Sequence, residues 1–216
     1  MLVAKSISEL QKRFPESRIF EQESHYFVFT KRGVIRFLKP RGRKEIVQRL
    51  KEGRFPQKYI TAIMKEKEKT EALKAVLSAK RGVFLSGKAG TGKTFACILK
   101  IALLLKNYKV NLPLYVPLQN LGDVFEYKKL IWEYDSFLVD DLNPNLGEWE
   151  RKLVIELIYH AYNEDKPLFI TSNATFKATA HFLKEEPLVS RLLEMCEVKT
   201  VKGEDLRLAK KVINSS

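Results

Sequence analysis

Apolar and polar positions along this chain follow two periods, one near 2 and one near 3.6, and the change between them marks out the elements. Ile7, Leu10 and Phe14 recur at helical spacing and predict a short amphipathic helix within residues 1–20. Two β-rich runs follow, Tyr26-Phe27-Val28-Phe29-Thr30 and Val34-Ile35-Arg36-Phe37-Leu38, and Lys31-Arg32-Gly33 between them predicts a hairpin turn. Glu45 to Lys51 predicts a short helix and Gly53 to Tyr59 an extended linker. Lys65 to Lys80 predicts a charged helix that turns Leu73, Val76 and Leu77 inward.

From residue 81 onward, short apolar runs alternate with helical segments. Strands are predicted at Arg81 to Ser86, Leu112 to Leu118, Ser136 to Asp141, Lys166 to Asn173 and around Glu197 to Val201. Helices are predicted at Phe95 to Asn107, Leu121 to Trp132, Leu146 to Asn163, Thr175 to Lys184 and Pro187 to Glu194. Alternation of this kind predicts an α/β fold. The change of pattern divides the chain into an N-terminal segment, residues 1–52, and a main domain, residues 53–216.

The chemistry is concentrated at Gly87-Lys88-Ala89-Gly90-Thr91-Gly92-Lys93-Thr94, which matches GxxxxGK[ST] between a predicted strand and a predicted helix. Its three glycines let the backbone curl so that NH groups and the positive helix end converge on phosphate. In such a loop Lys93 reaches the β- and γ-phosphates, and the Thr94 hydroxyl is offered to Mg²⁺. ATP and Mg²⁺ are therefore the expected cofactors. Asp140 and Asp141 end an apolar strand, as such a site requires: one acid for the metal shell and one to polarise the attacking water. Asn173, at the polar tip of another buried strand, is expected in the same crevice, the alternative being a cap for the next helix. Arg191 and Arg207 are the arginines after that strand, and either suits the charge on a γ-phosphate or an ordinary surface position.

Composition adds a partner and a compartment. With 216 residues and 45% hydrophobic content the chain can bury a core. No run of about 18 apolar residues occurs, and charges interrupt Met1 to Phe14 too often for a signal peptide, so a cytoplasmic protein without membrane contact is expected. Cys97 and Cys196 lie far apart in apolar surroundings and are expected to be reduced core residues. The net charge of +13 is uneven: residues 1–81 hold 21 Lys and Arg against 9 Asp and Glu, residues 82–216 hold 18 against 17. Such asymmetry points to a polyanion, most simply nucleic acid, or else to a Lys-rich solvated surface. The run Lys39-Pro40-Arg41-Gly42-Arg43-Lys44 suits a flexible phosphate clamp beside aromatic rings able to stack on bases. The alternative makes Phe27, Phe29 and Phe37 the buried face of a small domain.

With these motifs placed, residues 53–210 resemble the AAA+ ATPases of the bacterial helicase-loader group, the DnaC and DnaI proteins, and the related IstB transposition helpers. The resemblance rests on Phe55-Pro56-Gln57-Lys58-Tyr59, the phosphate loop, Phe137-Leu138-Val139-Asp140-Asp141-Leu142 as Walker B, and Glu148-Trp149-Glu150-Arg151. It rests further on Phe169-Ile170-Thr171-Ser172-Asn173 as sensor 1, Ser190-Arg191-Leu192-Leu193, and Gly203-Glu204-Asp205-Leu206-Arg207. It implies a P-loop AAA+ core with a five-stranded parallel sheet, the Walker B strand between the phosphate-loop strand and the second strand, and little or no helical lid. It implies Arg191 as a finger acting on a neighbouring subunit and Arg207 as a sensor-2 arginine acting in its own. A nucleotide-dependent homo-oligomer, ATP hydrolysis, and action on a replicative helicase or other DNA-bound protein, with single-stranded DNA as a further partner, are implied as well. Asp141 stands where most AAA+ proteins have Glu, which implies slow turnover, and only about one helix fits between Val116 and Phe137. A P-loop kinase for a small metabolite would need gripping arginines, and residues 120–165 contain only Arg151. A nucleotide-gated binding module remains the third class.

Overall fold

The computed structural model describes residues 2–63, 70–79, 82–203 and 205–206. Its N-terminal part is α1 (Ile7–Arg13) packed on a three-stranded antiparallel sheet of β1 (Arg18–Glu21), β2 (His25–Thr30) and β3 (Gly33–Leu38). The sequence pattern predicted only the last two strands; β1 is too short to show a period, and pairing with β2 from Arg18↔Phe29 to Glu21↔Tyr26 makes it a strand. Ser6 caps α1 by accepting from the Glu9 amide at 3.2 Å. Alternation along β2 and β3 sends Tyr26, Val28 and Phe37 into a small core with Ala4 and Leu10. Phe29 goes the other way and is exposed, so the three phenylalanines are divided between the faces rather than sharing a buried one.

Next come α2 (Arg43–Glu52), α3 (Gln57–Ile63) and α4 (Glu71–Ser78). Leu50 of α2 joins the core of the following layer, not that of the small sheet. The predicted linker at Gly53 to Tyr59 is corrected: Phe55 is buried and α3 begins at Gln57, because Phe55 finds a partner ring in Tyr115 at 5.6 Å. The charged helix predicted for Lys65 to Lys80 falls partly outside the described residues. Its described part, α4, buries Ala72 and Val76 and leaves Leu77 43% exposed, so Leu77 does not face inward.

The flexible phosphate clamp expected at Lys39 to Lys44 is also corrected at its centre. Arg41 is buried, and its guanidinium donates to the Leu105 and Val110 carbonyls, both at 2.9 Å, to Asn111 Oδ1 at 2.5 Å and to Glu45 at 2.7 Å. It lies 4.2 Å from the Tyr108 ring centre. A fixed guanidinium at the Leu105 carbonyl, in the last turn of the helix ending at Lys106, complements the negative helix end, and its bond to Val110 ties down the chain that follows, so this arginine clasps the chain to itself.

The main sheet holds β4 (Gly82–Gly87), β5 (Pro113–Pro117), β6 (Ser136–Asp140), β7 (Leu168–Ser172) and β8 (Cys196–Val201), all parallel, in the order β5-β6-β7-β4-β8. The Walker B strand β6 does lie between β5 and β4, with β7 inserted between it and β4. Strands β4 to β7 are buried along nearly their whole length, so their period of 2 splits one apolar run between two cores, whereas β8 at the sheet edge buries only its two ends. Val83 and Leu85 face Ile98, Ile101 and Leu105 of α5 (Lys93–Lys106), whereas Phe84 faces the layer of α7 (Glu148–Asn163) and α9 (Glu186–Met195). The remaining helices are α6 (Val124–Leu130), after a 3₁₀ turn at Leu118–Asn120, and α8 (Phe176–Leu183). Cys97 and Cys196 are both buried thiols, and burial pushes the Cys196 thiol up to about 12.

Candidate nucleotide site

β4 runs into the loop of residues 87–92, and Gly92 caps α5 with φ 84°. Gly90 also has positive φ, 78°, and a Cβ there would lie 1.9 Å from an Asp205 carboxylate oxygen. The positive φ favours glycine here, and any side chain would also have to displace the Asp205 carboxylate. The Leu206 amide donates to the Gly90 carbonyl at 3.1 Å, so the chain after β8 passes directly over the loop.

Lys93, the first residue of α5, is only 7% exposed. Its ammonium donates to the Gly87 carbonyl at 2.8 Å, the Lys88 carbonyl at 2.7 Å and Asn173 Oδ1 at 3.0 Å. Asn173 Nδ2 in turn donates to Asp141 Oδ1 at 2.7 Å, so one amide links the loop lysine to the second acid. The helix after Asn173 is capped by the Thr175 hydroxyl at 3.2 Å, which removes the alternative reading of Asn173 as its cap. Asp141 has φ 64°, a conformation that turns the chain at the strand end, and its amide donates to Thr171 Oγ1 at 3.0 Å.

Asp140 is held on both oxygens. Thr94 and Thr171 donate to Oδ1 at 2.7 and 2.6 Å, and Tyr115 donates to Oδ2 at 2.6 Å. Burial, together with the negative Asp140 beside it, pushes the Tyr115 hydroxyl far above its usual range, so it stays a donor. Tyr115 and Thr171 were not singled out from the sequence. Their signal was a hydroxyl inside an apolar strand run, which has no meaning until the neighbouring strand is known.

These groups line a crevice of 690 Å³ at the carboxyl ends of β4, β5, β6 and β7. Lys58 and Tyr59 of α3 form its far wall with Phe95, and Leu206 its roof over the loop. Thus Lys93, Thr94, Asp140, Asp141 and Asn173 come together as the pattern anticipated. Arg191 does not line this crevice: its guanidinium rests on Tyr159 and Tyr162, 4.6 and 5.2 Å from the ring centres. Arg207 lies outside the described residues.

The fold occurs in solved structures. That of the DnaC helicase loader superposes with a TM-score of 0.52 over 68% of this chain and all of that one, at 21% identity. That of DnaI gives 0.52 over 70% of this chain and 93% of that one, at 18% identity. The chain has the AAA+ fold. No protein-family model and no curated sequence matches it. In this AAA+ fold the crevice lies at the strand ends where an open parallel sheet places ligands.

Among the described residues no helix is long and apolar enough to cross a membrane, and no cluster of His, Cys, Asp or Glu forms a closed metal site. The oxygen set of Thr94 and Asp140 is hard and partial, as Mg²⁺ prefers when substrate phosphates and water complete its shell.

Proposed function

We propose that this chain is a Mg²⁺-dependent ATPase of the helicase-loader type, acting on a DNA-bound partner in replication. The observation that carries the ATPase reading is the continuous chain Lys93–Asn173–Asp141 beside the pair Thr94–Asp140. ATP supplies the transferable γ-phosphoryl group and Mg²⁺ neutralises the charge on its oxygens. Lys93, now donating to loop carbonyls, is placed to exchange those partners for phosphate oxygens, with residues 87–92 as the cradle. Thr94 and Asp140 would hold the metal, with Tyr115 and Thr171 orienting Asp140. Asp141, steadied by Asn173, would polarise the attacking water, and an aspartate in place of the longer glutamate suits slow turnover.

A helicase or other DNA-bound protein as partner is suggested by the DnaC helicase loader, with which the chain shares its fold. The metabolite-kinase reading loses ground because Arg151 is committed, donating to Glu148 at 2.8 and 3.0 Å and to the Leu183 carbonyl at 3.2 Å. Arg191, resting against two tyrosines that donate to Glu185 and Glu194, suits a finger offered to a neighbouring copy. Equilibrium binding of a fluorescent ATP analogue tests the assignment. Lys93→Ala should abolish binding, and Asp141→Asn should bind normally without turnover. Unchanged affinity in Lys93→Ala overturns it.

A further inference from the structure

The small N-terminal sheet has one face that its own core does not need. α1 covers the inner face, and Ala4, Leu10, Tyr26, Val28 and Phe37 fill that core. On the other face, register places Arg18, Phe29 and Val34 in one row across the strands, and Phe20, Phe27 and Arg36 in the next. Phe20 is 57% exposed and Phe29 44%; their rings meet edge to face at 5.3 Å. Arg18 and Arg36 are exposed, and each row therefore ends or begins in a guanidinium. Three phenylalanines turn to this face, Phe27 half-buried and the other two exposed, and apolar surface of this kind marks an interaction site.

We infer that this outer face is a platform for single-stranded nucleic acid, with Phe20, Phe27 and Phe29 stacking on bases and Arg18 and Arg36 on phosphates. Charge complementarity selects this occupant. The excess of positive charge in the chain lies almost wholly before residue 82, and the turn between β2 and β3 adds exposed Lys31 and Arg32 beside the rings. The acids near the sheet are partly answered already: Glu21 pairs with Lys39 at 2.7 Å and Glu16 with Lys31 at 3.6 Å. Exposed rings interleaved with cations bind strands whose bases are free to unstack, and a duplex hides those bases. The platform deepens the reading of the chain as a DNA-directed ATPase by naming the segment that touches DNA. It does not use the phosphate loop, so the two stand or fall separately.

The test is fluorescence anisotropy of labelled oligo(dT) and of a duplex of equal length, without nucleotide, across a salt series. The intact chain should bind the single strand more tightly than the duplex. Phe20→Ala and Phe29→Ala should each weaken it by about 5-fold or more, because stacking on one ring contributes about 1–3 kcal/mol. Phe29→Leu should weaken it equally, since leucine keeps apolar bulk and loses the π face. Arg18→Gln and Arg36→Gln should each lower the salt slope by roughly 0.7. ATP-analogue binding, read on the same samples, should be unchanged in every variant, and thermal melting should show each variant folded at the assay temperature, with only a small loss where the Phe20–Phe29 ring pair is broken. Undiminished affinity in the Phe20→Ala/Phe29→Ala double variant, equal affinity for the duplex, or full rescue by leucine would overturn the inference, the last pointing to an apolar protein partner.

Discussion

Tyr115→Phe isolates the least expected part of the nucleotide site. The substitution removes one oxygen and keeps the ring that packs on Phe55 at 5.6 Å, so the fold is preserved. What is lost is the 2.6 Å bond to Asp140 Oδ2, leaving that carboxylate held only through Oδ1 by Thr94 and Thr171. A hydrogen bond to a charged group contributes about 1.5–3 kcal/mol. Loss of a group that orients a metal-holding carboxylate typically costs about 10- to 100-fold in metal affinity, or about 1.4–2.8 kcal/mol. The two estimates agree, so the Mg²⁺ concentration for half-maximal ATP turnover should rise by about 10- to 100-fold, with little change in turnover at saturating metal. The assay is phosphate release at saturating ATP over a Mg²⁺ titration, with thermal melting as the control for folding. A midpoint shifted by less than about threefold, in a variant that melts normally, would refute the role given to Tyr115 and weaken that of Asp140.

The same hydroxyl predicts a pH effect: the folded state holds the proton more tightly than the unfolded chain, whose tyrosines titrate near pH ~10. The stabilisation is therefore complete below about pH 10 and lost above it, so between about pH 9 and 11 the intact chain should lose more stability than Tyr115→Phe in urea titrations. Arg41→Ala takes the guanidinium from the Val110 carbonyl and Asn111 and leaves the Leu105 carbonyl with only the backbone amides after it, and should cost about 2–4 kcal/mol in the same measurement; a loss below about 1 kcal/mol would show that the clasp is idle. Arg191→Ala should bind ATP normally and lose turnover by a factor of about 10³, and mixing it with Lys93→Ala should restore part of it. Mixtures that stay inactive would mean that Arg191 acts within its own subunit or only packs on Tyr159 and Tyr162.

What the sequence determined by itself was local. The glycines of residues 87–92 prescribe a tight loop whatever surrounds them, and an apolar run ending in Asp140-Asp141 presents acids at a strand end in any parallel sheet. Helices and most strands were legible because their period is a property of consecutive residues; β1 and α3 were not, since four and seven residues are too few to show a period. Tertiary structure decided everything that depends on a neighbour. Insertion of β7 between β6 and β4 carries Thr171 to Asp140 and Asn173 to both Lys93 and Asp141, and no spacing along the chain encodes that order. Arg41 looked like its neighbours Lys39, Arg43 and Lys44 until the end of α5 and the chain just after it supplied carbonyls for it to hold. The alternation along β2 announced two faces, and only the docking of α1 on one of them determined that Val28 would be buried and Phe29 left facing outward. A period of 2 defines the faces of a strand; burial depends on what distant chain comes to cover them.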